Sequence, residues 1–149
     1  YSSAEALSAH RPGDRPMALD FRTIALAALV ETGGRVIMNP ATDAVVLSRP
    51  AVAALAQGDE WLPAWRDADL REELLADGRR TCPSIVDLSV EYAGDGLTRV
   101  TVIVDRESAQ GGGRARSVRE ELCDALAAMG HSARLIASAD RVEMVPVLS

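Results

Sequence analysis

Four groups of residues in this chain could do chemistry or bind something. The first is Gln110-Gly111-Gly112-Gly113-Arg114-Ala115-Arg116, directly ahead of a capped helix. Backbone N–H groups of Gly112 and Gly113, with the guanidinium groups of Arg114 and Arg116, could hold an anion at a helix N-terminus. The alternative is a solvated connector, and the phosphate-loop pattern GxxxxGK[ST] is absent. The second group is Cys82 and Cys123 with His10 and His131, the raw material for a nucleophile and its base. The spacing argues against that use. His131 follows a helix stop at Gly130, where a cation suits the helix C-terminus, and His10 lies in a proline-rich turn. Two thiols and two imidazoles at these separations form no metal-ligand pattern, so no metal and no cofactor are expected. Both cysteines read as reduced, with Cys123 on the buried face of its helix.

The third group is the carboxylates Asp67, Asp69, Glu72, Glu73 and Asp77, interleaved with Arg66 and Arg71. Glu72 and Glu73 are adjacent on a helix and diverge by about 100°. A solvated face with an Asp67–Arg71 pair four residues apart explains the pattern better than a pair of catalytic acids. The fourth is Trp61-Leu62-Pro63-Ala64-Trp65, which holds two of the chain's five aromatic residues. Exposed, Trp61, Leu62 and Trp65 would make anchors for a protein partner; covered, the indoles would fill the seam between two halves of the chain.

The elements that position these groups follow from local signals. Ser2 and Glu5 suggest a capping box for a helix to about Ala9. Asp20 caps a helix from Phe21 to Glu31 that Gly33-Gly34 ends. Arg35–Met38 and Asp43–Ser48 read as strands of a hairpin, and Pro50 opens a helix that Gly58 stops. Asp67 starts a charged helix through Ala76, closed by Gly78. Ser84–Tyr92 and Thr98–Val104 alternate about Gly94-Asp95-Gly96, a second hairpin. Ser117 and Glu120 form a capping box for a helix to Met129, with Val118, Leu122, Ala125, Leu126 and Met129 on one stripe. Arg134–Ala137 and Val142–Val147 read as a final hairpin. The predicted fold class is therefore α+β, in two small subdomains divided near Gly78. Residues 1–78 and 79–149 each form a mostly antiparallel sheet with helices packed on it, the second in the order ββαββ.

Composition bounds the rest. A chain of 149 residues is long enough to bury a core without disulfides. All 16 basic residues are arginine, which points to a GC-rich genome. A net charge of −6 argues against nucleic acid as a partner. The longest apolar run, Ile24–Val30, is far short of the roughly 20 residues that span a bilayer, so no membrane partner is expected and a cytoplasmic location is the default.

Two stretches resemble a known family. Tyr1-Ser2-Ser3-Ala4-Glu5-Ala6-Leu7 is similar to the Phe-Thr-Ser-x-x-x-Leu element of the SseB family, named for enhanced serine sensitivity. Arg35-Val36-Ile37-Met38-Asn39-Pro40 resembles that family's strand closing in Asn-Pro, and Val45-Val46-Leu47-Ser48 with the helix behind it follows in matching order. The resemblance covers roughly residues 1–58, with Tyr1 and Ser2 in place of Phe and Thr; from Cys82-Pro83 onward it is one of texture. It implies strands ahead of Tyr1, and a sheet lacking them has an unpaired edge near Arg35–Met38 that invites partner docking or homo-oligomerisation. It implies no enzymatic reaction. The expected function is a non-catalytic protein-interaction or regulatory module working through Trp61, Leu62 and Trp65. The alternatives are an immunity-type protein that neutralises a toxin, or a small anionic-ligand binder using the glycine-rich loop.

Overall fold

Helix starts are set by side chains that accept the first free backbone N–H groups, and the computed structural model, which describes residues 1–107 and 117–149, shows this at each long helix but one. Helix α1 (Ala4–His10) is capped by Ser3, not Ser2: Ser3 Oγ accepts from the Ala6 N–H at 3.2 Å. Helix α2 (Phe21–Glu31) begins at Asp20, whose carboxylate accepts from the Thr23 N–H at 3.0 Å. It ends at Gly34, which has a φ of +82° and donates its N–H to Ala28 O at 2.9 Å. A Cβ at Gly34 would also lie 2.8 Å from Arg49 Cγ, so both backbone and space demand glycine there. Strands β1 (Val36–Met38) and β2 (Val45–Leu47) pair antiparallel with Ile37 opposite Val46. Helix α3 (Arg49–Gln57) has Pro50 in its first turn and left-handed Gly58 as its stop, and Ser48 caps it without a side-chain bond.

These elements make the first of two compact units, Tyr1–Trp61. Its core is small: Ala25, Ala28, Val52 and Ala56, with Phe21, Leu29, Val36 and Leu47 packed around them. Alanines at the α2–α3 contact let the helices approach closely, but they bury little apolar area. Strand alternation turns Val36 and Leu47 toward that core and leaves the Ile37–Val46 pair exposed, at 57% and 60%.

The second unit is Leu62–Ser149. A 3-10 turn (Ala64–Arg66) leads into helix α4 (Ala68–Thr81), then strands β3 (Ile85–Tyr92) and β4 (Leu97–Val104), helices α5 (Val118–Gly130) and α6 (Ala133–Ser138), and strand β5 (Arg141–Leu148). Leu70 and Leu74 of α4, Val118, Ala125 and Met129 of α5, and Ile85, Leu88, Val100, Val102 and Val104 of the sheet form one buried core. Ser117 and Glu120 bond reciprocally at the start of α5, the expected capping box.

Three expectations are corrected here. Gly78 does not divide the chain. It lies inside α4, buried, where its missing side chain admits Ile85 and Met129; an added Cβ would stand 3.2 and 3.3 Å from their side-chain atoms. The units instead separate between Trp61 and Leu62. Second, Arg134–Ala137 is helical: Ser132 Oγ accepts from the Leu135 N–H at 3.3 Å and turns the short apolar run into α6. Third, β5 pairs with β4 in parallel, from Leu97 opposite Arg141 to Val104 opposite Leu148. A helical crossover favours that direction, where a short turn would favour antiparallel pairing. The fold class is α+β, as expected, with an antiparallel two-stranded sheet and a mixed three-stranded sheet in the order β3-β4-β5. The elements that lie wholly within the described residues of the second unit run ββααβ after α4.

Both outer strands of the mixed sheet are guarded. On β3, Arg71 Nε donates to Leu88 O at 2.9 Å, while Arg79 donates from Nε to Ile85 O at 3.1 Å and from Nη2 to Val86 O. On β5, whose Ser149 N–H bonds inward to Val104 O at 3.0 Å, the outer edge carries Pro146. Backbone groups alternate along a strand, so odd-numbered β5 residues face β4 and Pro146 points outward, where its missing N–H costs no ladder bond.

Candidate interaction surface

The tryptophan segment straddles the division between units, so its residues belong to different bodies. Trp61, the last residue of the first unit, is half-buried. Leu62 opens the second unit and is 50% exposed. Pro63 sets extended backbone before the 3-10 turn, which buries Ala64 and leaves Trp65 half-buried. The Trp65 ring lies 4.8 Å from that of Tyr92, tilted by 42°. Such a tilted aromatic contact contributes about 1 kcal/mol beyond area burial. Tyr92 is itself 53% exposed, and its hydroxyl accepts from the Gly96 N–H at 3.4 Å. An aromatic pair anchored at one end of the sheet, with Leu62 three residues ahead of Trp65, is thus presented to solvent. Tyr92 did not emerge from the sequence because it lies 27 residues beyond Trp65. Its signal was an aromatic residue ending a strand just before Gly94-Asp95-Gly96.

The same turn positions a charged junction. Asp67 follows the 3-10 turn, caps α4 by accepting from the Leu70 N–H at 3.1 Å, and is 7% exposed. It does not pair with Arg71. Arg134 of α6 reaches it with two prongs, Nε to Oδ2 and Nη2 to Oδ1, each 2.7 Å, and Nη2 also reaches Asp69 Oδ2 at 3.2 Å. Arg71 turns away to Asp87 at 2.5 Å. Burial pushes the Asp67 carboxyl upward, but the Arg134 fork, the Leu70 N–H and the Arg134 charge together hold it below the usual carboxylate range. Of the other acids, Glu73 accepts from Ser132 Oγ at 3.2 Å, and Asp77 pairs with Arg80 three residues on.

The thiols differ. Cys82 is fully buried beside Ile85 and Leu88 in the core, whereas Cys123 is exposed, contrary to the sequence reading. The stripe of α5 explains this: Leu122, Ala125, Leu126 and Met129 face inward and leave position 123 on the opposite side. Neither cysteine is in a disulfide. His131 Nδ1 lies 2.7 Å from Ala127 O, so the imidazole binds a terminal carbonyl of α5. Cys123 and His131 are eight residues apart, about 12 Å along a helix axis. Gly112, Gly113, Arg114 and Arg116 lie outside the described residues. Among the described residues, no group of three or more His, Cys, Asp or Glu is placed to hold a metal ion, and no helix is long and apolar enough to cross a membrane.

In the first unit, the two stretches that resemble a family element meet each other. Asn39, at the end of β1, has a φ of +48°, a conformation asparagine tolerates better than most residues. Its Oδ1 accepts from the Ser2 N–H at 2.9 Å and from Ser2 Oγ at 3.2 Å, and its Nδ2 lies 3.0 Å from Ser2 Oγ. Tyr1 Oη lies 2.6 Å from His10 Nδ1, spanning α1. The Asn-Pro strand end therefore holds the Tyr-Ser-Ser element in place. A small α+β protein of two units, the first organised around this Ser2–Asn39 clamp, is the class that the fold defines. Residues 1–54 match the family model described as the SseB protein N-terminal domain, which supports the family resemblance read from this part of the sequence. No significant match to a curated protein or to a solved structure was found.

Proposed function

We propose that the protein is a cytoplasmic, non-catalytic interaction or regulatory module that binds another protein through the surface built on Leu62 and Trp65. The observation that carries this reading is the Trp65–Tyr92 ring pair, seated on the sheet with Leu62 exposed ahead of it. Large rings with few torsions give contact area at low entropic cost, and a ring already braced by a neighbour loses less freedom on binding. Tyr92 joins Leu62 and Trp65 in this reading. The sheet edges of the second unit are blunted by Arg71, Arg79 and Pro146, which favours recognition by side chains over strand addition there.

The test is a cross-linking and affinity-enrichment experiment with the native protein and with Leu62→Ser and Trp65→Ala, each checked for folding by circular dichroism. A partner captured reproducibly by the native protein and lost with both folded variants supports the surface. Undiminished capture by both variants overturns it.

A further inference from the structure

We propose that Ser132–Ser149 is a strap whose outer part, β5, lifts off β4 as one unit while its root, α6, stays fastened by the Arg134–Asp67 fork. The two ends of the strap are held very differently. None of the eight residues of β5 is buried, and only Met144 and Val145 are even half-buried. Its attachments are the row of backbone bonds to β4, the Arg99–Glu143 pair at 3.0 Å and the half-buried Met144 against the core. The root is anchored: Leu135 is 1% exposed, Ser138 5% and Ala139 8%. Arg134 adds two charge-assisted bonds to buried Asp67 and one to Asp69, and Ser132 Oγ bonds Glu73. All of these acids belong to α4 or its cap, so the strap is tied to the one helix that also guards the far edge of the sheet. A segment with few buried side chains and a solvent-facing ladder is the kind that opens below the cost of global unfolding. Its release would leave the β5-facing backbone row of β4 free.

The alternation of β4 supplies an internal control. The Asp105 N–H bonds Ser84 O and the Ala93 N–H bonds Leu97 O, so odd-numbered residues of this segment face β3. The Ser149 N–H bonds Val104 O, so even-numbered residues face β5. Residue-resolved hydrogen exchange on the unsubstituted protein therefore separates the two partners within one strand. The amides of Val100 and Val102 should exchange together with those of Val145, Val147 and Ser149, about ten-fold or more faster than those of Thr101 and Ile103. Equal protection of Val100, Val102, Thr101 and Ile103 would overturn the strap. Arg134→Gln should speed the strap set alone, and Arg134→Lys, which keeps the charge but loses the fork, should do so by a smaller factor. A uniform acceleration of both sets in either variant would show that the fork serves the whole fold and would overturn its role as fastener. Should Arg134→Gln fail to fold, Arg134→Lys and the unsubstituted protein decide the question.

Discussion

Gly78 distinguishes a linker from a packing position, and substitution there has opposite outcomes in the two cases. At an exposed helical site, replacing glycine by alanine stabilises by about 1 kcal/mol, because glycine has the larger backbone entropy to lose. At Gly78 an added Cβ stands 3.2 Å from Ile85 Cδ1 and 3.3 Å from Met129 Sδ, closer than ordinary van der Waals contact by a few tenths of an ångström. Both contacts are far ends of side chains, and methionine adapts readily. The strain of Gly78→Ala should therefore roughly offset the helix gain and leave stability within about 1 kcal/mol of the native protein. Valine gains less helix propensity and adds two methyl groups against a full core. The overpacking cost of about 1–3 kcal/mol then dominates, and Gly78→Val should destabilise by about 2 kcal/mol. Urea unfolding followed by far-ultraviolet circular dichroism measures both, with an unchanged m-value confirming that the shift is one of stability. A Gly78→Val protein as stable as the Gly78→Ala protein, both above the native one, would refute the buried placement of α4 on β3 and α5.

Other expectations follow from the same contacts. The Asp67 carboxyl lies below its ordinary value in the folded chain, so its stabilisation is present above about pH 4, the unfolded value, and is lost as pH falls through the lower folded value. Asp67→Asn should flatten this part of the acid-unfolding curve, and an unchanged curve would discount the Arg134 pair. Replacing Ser117 by alanine removes the α5 capping box and should cost about 1 kcal/mol in chemical denaturation. Native protein should react with a thiol reagent at one cysteine, Cys123, while Cys82 should react only on unfolding; two fast-reacting thiols would contradict the core. Asn39→Gly keeps the left-handed backbone but loses the Ser2 clamp, so it should release the Tyr1–Ser3 amides to exchange with little effect on the β1–β2 turn.

How far the sequence reached depends on whether a signal was local. Asp20, Ser117, Gly33-Gly34, Gly58 and Gly94-Asp95-Gly96 act on the few residues beside them, and each does in the structure what its chemistry predicts. The failures at Gly78, at Asp67 with Arg71 and at Arg134–Ala137 share one cause: the deciding partner lay elsewhere in the chain. Gly78 looks like punctuation until Ile85 and Met129 arrive to occupy the space it leaves. Asp67 and Arg71 are correctly spaced for an ion pair within the helix. However, a guanidinium 67 residues away from Asp67 offers two bonds at once, and the β3 edge offers Arg71 both a carboxylate and a carbonyl. Leu135, Ile136 and Ala137 suit either a strand or a helix, and Ser132 settles the choice only because the chain must cross from the end of β4 to the start of a parallel neighbour. The candidate surface was half legible for the same reason. Trp61, Leu62 and Trp65 announce themselves by composition, but the ring that braces Trp65 is supplied by Tyr92 across the fold. In this protein the residues that end elements were readable one at a time, and those that join elements were readable only in pairs.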